Sequence, residues 1–241
     1  NNKFNKGLLG GFPIADDLYH SKINKLSLIK KYKLNKQKPI ILFAPTWGSK
    51  KNKSWGLHNL KHLKNIENLI VVPHPSDYSI SKLFNNIIIP QNRQELNDII
   101  HLSDIIISDI SSILLEAALI KKNTIQLILG EYPGTFPLID LNDKKIIIPK
   151  ELINNEIKIS NISKRPFKIS FLNQDMIIDY TSNLKELNQT IKKVLKYPDK
   201  NLKNREYWAE QCCWKFDGNT NKRIHDMIIN FIKNKEIKQL N

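Results

Sequence analysis

The sequence predicts an α/β protein built on a doubly wound, Rossmann-like parallel sheet with helices at its C-terminus. Short, uniformly apolar runs alternate with segments of helical periodicity between about Pro39 and Pro149. Runs of this kind are typical of parallel strands that helices cover on both faces. Three longer helical patterns follow, and they predict helices that pack on the sheet domain.

Five apolar runs are the predicted strands. Proline ends the first run and directly follows the second and third, and because it donates no hydrogen bond to a neighbouring strand, we expect each strand to end there. The runs cover residues 39–45, 69–72, 87–89, 105–107 and 124–129.

Segments with apolar residues at helical spacing separate these strands. The predicted helices cover residues 58–64, 80–84, 95–102, 111–121, 183–196, 202–216 and 221–235. We therefore divide the chain into a linker or helical lead-in (1–38), a Rossmann-like domain (39–180) and C-terminal helices that pack on it (181–241). The stretch from Ile139 to Phe171 is less periodic and receives no assignment.

The composition limits the class of protein. The chain has 241 residues, of which 41% are hydrophobic, which suffices for a packed core. It contains no run of about eighteen apolar residues, so no membrane-spanning helix is expected. Its two cysteines are the neighbours Cys212 and Cys213, which rules out a disulfide scaffold and favours a reducing compartment, the cytoplasm.

The net charge of +15 predicts an anionic partner. The partner could be nucleic acid, a phosphorylated metabolite or the anionic inner face of a membrane. The alternative is that much of the lysine only forms a solvated surface. A basic nucleic-acid-binding module is the hypothesis of another class. It is the least favoured, because no RRM, KH or helix-turn-helix signature is present.

The most specific local pattern runs from Ser103 to Ser112. A buried strand ends in Ser108 and Asp109, and Ser111 and Ser112 then open a helix. Hydroxyl groups and unpaired amides at a helix start suit a diphosphate. The alternative is that Asp109 and Ser111 only cap the helix.

His74 lies between two prolines, directly after a predicted strand. The flanking prolines restrict the backbone, so the imidazole is held in one place. Such a histidine could donate a proton or a hydrogen bond to a phosphate or a leaving group.

Weaker candidates are Thr46 and Trp47, which follow the first strand, and Arg223, which follows Asp217-Gly218 at the start of the last helix. An arginine there could reach a phosphate or close a surface ion pair. The chain contains no P-loop, no G-x-G-x-x-G, no H-E-x-x-H and no G-x-S-x-G motif.

Taken in order, five segments resemble motifs of the CDP-glycerol glycerophosphotransferase family, which builds teichoic acids and related capsule polymers. Val72 stands where that family's Lys-Pro-His-Pro loop has lysine, and Ser108 and Ile110 replace threonine and tyrosine. The segments are Gly11–Leu18, Ile41–Trp47, Val72–Pro75, Leu102–Glu116 and Phe216–Arg223.

The resemblance implies the C-terminal, donor-binding half of a GT-B fold. It implies catalytic roles for His74 and Asp109 and a CDP-linked donor, with no metal and no cofactor. The donor-binding residues implied are Thr46, Trp47, Ser108, Ser111, Ser112, Glu116 and Arg223.

The expected reaction moves glycerol phosphate, or a similar polyol phosphate, to a cell-surface polymer. The expected acceptor is an anionic polymer or a lipid-linked molecule, and the enzyme would be cytoplasmic, with peripheral contact at the inner face of the membrane and no nucleic-acid partner. The alternative enzyme is a GT-B glycosyltransferase that uses a CMP-, UDP- or GDP-sugar for capsule or lipopolysaccharide synthesis.

Overall fold

The computed structural model describes residues 9–46, 56–84, 87–129 and 178–234. Its centre is a parallel sheet of five strands. The strands are β1 (Ile41–Phe43), β2 (Leu69–Val71), β3 (Ile105–Ser108), β4 (Asn123–Leu127) and β5 (Tyr180–Ser182). Their order across the sheet is β2-β1-β3-β4-β5, and this confirms the predicted doubly wound α/β fold.

The predicted strand at 87–89 forms only an isolated parallel bridge between Ile87 and Val71. The Ile88 amide donates to the Val71 carbonyl at 2.9 Å, and Pro90 then removes the next donor. With this bridge at the edge, the strand order follows that of Rossmann folds, and the order in which successive strands are added to the sheet reverses between β1 and β3. In such sheets the ligand crevice lies outside the carboxyl ends of the strands at that reversal.

The helices follow the predicted pattern, with shorter bounds at several ends. They are α1 (Ile14–His20), α2 (Lys25–Lys31), α3 (Tyr78–Ser81), α4 (Arg93–Leu102), α5 (Ile113–Leu119), α6 (Leu187–Lys196), α7 (Leu202–Cys213) and α8 (Thr220–Asn234). Across the described residues, none of these helices is both long and apolar enough to cross a bilayer.

The segment predicted as a helix at 58–64 is a 3₁₀-helix over Gly56–His62. Its buried leucines Leu57 and Leu60, and Leu63 directly after its end, are spaced three residues apart. That spacing matches the three residues per turn of a 3₁₀-helix, so the leucines line one face of it.

Alternate residues of the central strands enter two separate apolar clusters. Leu42 and Ile106 belong to the cluster under α1, α4, α5 and α7. Ile41, Phe43 and Ile107 belong to the cluster under the 3₁₀-helix, α3 and α6. Because successive side chains of a strand point to opposite faces, helices on both sides are needed to bury them.

Residues from outside the central segment contribute to the same core. Ala15 and Leu18 of α1 and Ala209 and Cys213 of α7 lie in the cluster that also holds the apolar face of α5. The proposed boundaries at 38/39 and 180/181 remain predictions. The strand β5 has no apolar run in its sequence, Tyr180-Thr181-Ser182, and the periodicity did not predict it.

A buried ion pair connects β4, β5 and α7. Arg205 Nη1 lies 2.8 Å from Asp179 Oδ2, and both side chains are almost fully buried. The same carboxylate oxygen accepts a hydrogen bond from the Thr124 amide at 2.8 Å. Arg205 also donates to the Pro198 carbonyl at 3.0 Å. The pair therefore fixes α7 against the edge of the sheet.

Candidate functional site

Three contacts join the carboxyl ends of β1 and β3 at the point where the strand order reverses. The Ala44 amide donates to the Ile107 carbonyl at 3.0 Å, and the Ser108 hydroxyl donates to the Ala44 carbonyl. Further along both segments, the Thr46 amide donates to Asp109 Oδ1 at 2.9 Å. The predicted residues Thr46, Ser108 and Asp109 are thus brought together.

Asp109 is fully buried, and burial raises the pKa of its carboxyl group above the ordinary value. The amides of Thr46 and Ile110 both donate to Oδ1, which lowers the pKa and opposes that effect. Oδ2 is buried as well and has no hydrogen-bond partner among the described residues. The group can therefore hold a proton at pH values at which an exposed aspartate has lost it.

His74 follows β2, the strand next to β1 on the other side. Its Nδ1 accepts a hydrogen bond from the Ser76 amide at 3.2 Å. A ring nitrogen that accepts carries no hydrogen, so in the neutral imidazole Nε2 is the protonated donor. Partial burial lowers the pKa of the ring, while Asp77 raises it. His74 is therefore a neutral hydrogen-bond donor at neutral pH.

The chain turns after Asp109 into the start of α5, which begins at Ile113, two residues later than predicted. Ser111 Oγ accepts from the Ile113 amide at 3.4 Å, so Ser111 holds the turn without being the residue before the helix. Ser112 takes that position, and its hydroxyl donates to Glu116 Oε1 at 3.3 Å. Both serines thus lie at the edge of the sheet where the crevice is expected.

Glu116 is buried and forms an ion pair with Arg93, the first residue of α4. The guanidinium Nη2 donates to Glu116 Oε2, while Oε1 accepts from Ser112. Arg93 did not appear among the residues predicted from the sequence, because no local pattern distinguishes it from other basic residues. The pair forms because α4 and α5 begin at the same edge of the sheet. It could therefore be recognised only once the topology was known.

Arg223 belongs to a different set of contacts. Its Nη1 donates to both carboxylate oxygens of Asp217 at 2.7 Å, its Nη2 donates to Thr220 Oγ1 at 3.2 Å, and its guanidinium lies over the Trp214 ring. Within the part of the chain that the structure describes, no contact links it to Asp109 or Ser111. Its expected role in neutralising a diphosphate therefore remains a prediction.

The first and last of the five sequence segments pack against each other around Arg223. Both carboxylate oxygens of Asp16 accept from backbone amides at the start of α8, those of Thr220 at 3.0 Å and Asn221 at 2.7 Å. Gly11 has a φ of +98°, and a Cβ there would lie 2.9 Å from Thr220 Oγ1. Asp16 and Gly11 thus act in the contact between the first segment and the start of α8, which are distant in the sequence.

The structure brings four parts of the predicted site to one edge of the sheet. They are the segment after β1 with Thr46, the segment after β2 with His74, the segment after β3 with Asp109 and Ser111, and the first turn of α5 with Glu116. Trp47, also predicted, lies outside the described residues. Among the residues that the structure does describe, no cluster of three or more histidine, cysteine or acidic side chains could hold a metal ion.

This arrangement suits an anionic ligand. It offers a neutral imidazole donor, two serine hydroxyl groups and a guanidinium group, while burial raises the pKa of Asp109 and Arg93 offsets the charge of Glu116.

Comparison with solved structures supports the fold. The wall teichoic acid polymerase TagF aligns over 93% of this chain and 52% of its own, with a TM-score of 0.56 and 17% identity. A TagF variant soaked with CDPG aligns with a TM-score of 0.55. The S. aureus MnaA–UDP structure aligns over 97% of this chain and 55% of its own, with a TM-score of 0.51 and 16% identity. These neighbours have the GT-B fold, and at such low identity the likeness concerns the fold alone.

A curated relative is similar in sequence. Teichoic acid glycerol-phosphate primase from Bacillus spizizenii (strain W23) is 34% identical over 119 residues, which cover 46% of this chain and 31% of the relative. The chain thus spans about a third of that relative and about half of the structural neighbours. The family model for CDP-glycerol:poly(glycerophosphate) glycerophosphotransferase matches residues 1–127, just over half of the chain. On that match, the chain belongs to the CDP-glycerol:poly(glycerophosphate) glycerophosphotransferase family.

Proposed function

We propose that this chain is the donor-binding part of a transferase that moves glycerol phosphate, or a similar polyol phosphate, from a CDP-linked donor to a cell-surface polymer. The observation that carries the proposal is the family match, which includes the segments that hold Thr46, His74 and Asp109. The edge of the sheet between β1 and β3 supports it, because these residues and the two serines lie where doubly wound sheets bind their ligands.

The proposed reaction is a direct displacement at phosphorus. A hydroxyl oxygen of the acceptor attacks the β-phosphorus of the donor, and its proton is released to solvent. The phosphoanhydride bond breaks, so that CMP leaves with the bonding electrons. His74 Nε2–H, Ser111 and Ser112 stabilise the negative charge that develops on the diphosphate. Donor and acceptor react directly, so the residues act by binding and orienting them.

A panel of nucleotides tests the donor. We expect CDP and CMP to raise the melting temperature of the chain more than ADP, UDP or GDP do, because ligands stabilise the state that they bind. Equal shifts with ADP would contradict a cytidine donor, and a larger shift with UDP or GDP would favour the glycosyltransferase alternative. His74→Ala should remove the CDP shift, whereas His225→Ala should keep it, since His225 is exposed and contacts only Asp226 within the described chain.

Peripheral membrane contact is part of the proposal, and α8 supports it. Ile228, Phe231 and Ile232 are at least half exposed and lie at helical spacing on one side of α8. The net charge of +15 suits a bilayer that contains anionic lipid. We expect the chain to sediment with vesicles of phosphatidylglycerol and phosphatidylcholine but not with phosphatidylcholine alone. Phe231→Ser should weaken that binding, and unchanged sedimentation would contradict a role for α8.

A further inference from the structure

Arg93 is a basic residue that the structure connects to Ser112 of the site through Glu116. Its guanidinium Nη2 contacts Glu116, and Glu116 in turn accepts a hydrogen bond from Ser112. The contact spans from α4 to α5, two helices that cover the same face of the sheet. Because both helices begin at the carboxyl edge of the strands, the pair lies at the edge that holds Asp109 and Ser111.

The pair leaves most of the hydrogen-bonding capacity of Arg93 unused. A guanidinium group has five N–H donors, and among the described residues only one bond is formed, by Nη2 to Glu116. The side chain is 33% exposed, whereas Glu116 is buried. The Nε atom of Arg93 is buried, so Arg93 presents its charge through the terminal nitrogens of a partly exposed guanidinium group, which Glu116 connects to Ser112.

The charge of the site explains why such a cation is useful. Asp109 and Glu116 are both buried near the place where an anionic ligand would lie. Burial raises the pKa of Asp109, which favours its neutral form. Glu116 is instead compensated by Arg93, and without that partner its charge would repel a diphosphate.

We propose that Arg93 is a diphosphate-binding residue of this site, whose guanidinium contacts the phosphate oxygens of the donor while it remains paired with Glu116. This inference rests on the proposed function, since it assigns a further residue to the same donor. Arginine is suited to the role because its planar fork can contact a carboxylate on one side and a phosphate on the other.

The test compares Arg93→Gln and Arg93→Lys with the unmodified chain by titration calorimetry, with CDP and inorganic pyrophosphate as probes. Arg93→Gln should weaken the binding of both by about 10- to 100-fold, the loss expected for one charge-assisted hydrogen bond. Arg93→Lys should recover part of the affinity, because it restores the charge without the fork. Because Arg93→Gln also leaves Glu116 without its cation, the double variant Arg93→Gln, Glu116→Gln removes that repulsion as well and should still bind both probes weakly. A double variant that binds both probes as tightly as the unmodified chain would show that Arg93 acts only on Glu116 and would overturn the proposal.

Lys121→Gln is the matched control. Lys121 forms an ion pair with Glu206 at 2.8 Å just after α5, so the variant removes the same charge from a pair beyond the other end of that helix. It should bind both probes as the unmodified chain does. Circular dichroism checks that each variant is folded, and if Arg93→Gln does not fold, a CDP affinity of Arg93→Lys equal to that of the unmodified chain overturns the proposal.

The two probes separate this inference from the proposed function. If the unmodified chain binds CDP and Arg93→Gln binds it equally well, Arg93 is not a ligand and the proposed function stands. If the chain binds pyrophosphate in an Arg93-dependent way but does not bind CDP, Arg93 is a ligand and the cytidine donor is wrong. If the chain binds neither probe, both proposals are wrong.

Discussion

The carboxylate of Asp109 accepts a hydrogen bond from the backbone amide of Thr46 at 2.9 Å, across a sequence separation of 63 residues. This bond joins the segments that follow β1 and β3. It defines the edge of the sheet where a ligand of a doubly wound fold is expected. Asp109 thus holds the two segments together by hydrogen bonding, and this structural role can be tested separately from any role of its charge.

Asp109→Asn and Asp109→Ala separate these two roles. Asparagine keeps an acceptor for the amides of Thr46 and Ile110, so we expect little loss of stability at neutral pH, or a gain. Alanine leaves both amides without their acceptor and should cost about 1–3 kcal/mol of unfolding free energy. Urea unfolding measures both values, and equal losses in the two variants would contradict this account.

The pH dependence of stability follows from the raised pKa of Asp109. In the folded state the carboxyl group holds its proton to a higher pH than in the unfolded state. Its contribution to stability is therefore fully present below the unfolded-state pKa, about 3.9 for aspartate, and is lost as the pH rises through the folded-state pKa. Asp109→Asn should remove this loss, so the difference in unfolding free energy between variant and parent should grow with pH in that window. A difference that is constant with pH would contradict the raised pKa.

His74 should make donor binding depend on pH. Burial lowers the pKa of the ring below the ordinary histidine value, so the ring gains its proton at a lower pH than an exposed histidine does. We expect the affinity for CDP-glycerol to rise as the pH falls through that lowered pKa, since the imidazolium ion attracts the diphosphate. This diphosphate is esterified at both ends, so the ligand itself has no ionisation near neutral pH. Calorimetry of His74→Gln should show no such rise in affinity as the pH falls. If the variant shows a rise of the same size, the pH dependence comes from another group and this prediction is wrong.

The ion pair of Arg205 and Asp179 predicts a large effect on stability. Arg205→Met leaves the buried Asp179 carboxylate without its cation and should cost about 3–5 kcal/mol. The double variant Arg205→Met, Asp179→Asn should recover much of that loss, because asparagine still accepts from the Thr124 amide without a charge. Chemical denaturation measures the three stabilities. A double variant no more stable than Arg205→Met would show that Arg205 acts mainly through its other contacts.

Gly218 tests the contact between the first and last sequence segments. Its φ is +71°, and a Cβ would lie 2.5 Å from His20 Nε2 and 2.6 Å from Tyr19 Cδ1. Gly218→Ala should therefore cost about 1–3 kcal/mol. Gly10→Ala is the control, because its Cβ would meet the Ile224 side chain at a similar distance of 2.8 Å, whereas the φ of Gly10 lies outside the left-handed region. Thermal unfolding distinguishes them, and equal losses would contradict the importance of the Gly218 backbone.

The central strands and most helices could be predicted from local pattern, because buried parallel strands have a distinctive composition. The isoleucines at 105–107 and the run that ends in Phe43 are examples, and both form strands of the sheet. The strand β5 could not be predicted, since Tyr180-Thr181-Ser182 carries no apolar run and pairs only because β4 lies beside it.

The site could be predicted in part, namely for those residues that directly follow a predicted strand. His74, Asp109 and Ser111 directly follow strands, so their position in the sequence places them at one edge of the sheet. Arg93 and Asp16 act through partners that are 23 and 204 residues away. Such pairings depend on how helices pack, and no spacing in the sequence encodes them.

Amide hydrogen exchange with and without CDP tests the location of the donor site most directly, since binding slows exchange where it stabilises the backbone. We expect slower exchange in three segments, those after β1 at 44–46, after β2 at 74–77 and after β3 at 110–115. Slowing confined to the cavity of about 280 Å³ between α5 and α7, which Ala118, Ala209 and Trp214 line, would place the ligand elsewhere and contradict the account. No change with CDP at saturating concentration would contradict it equally.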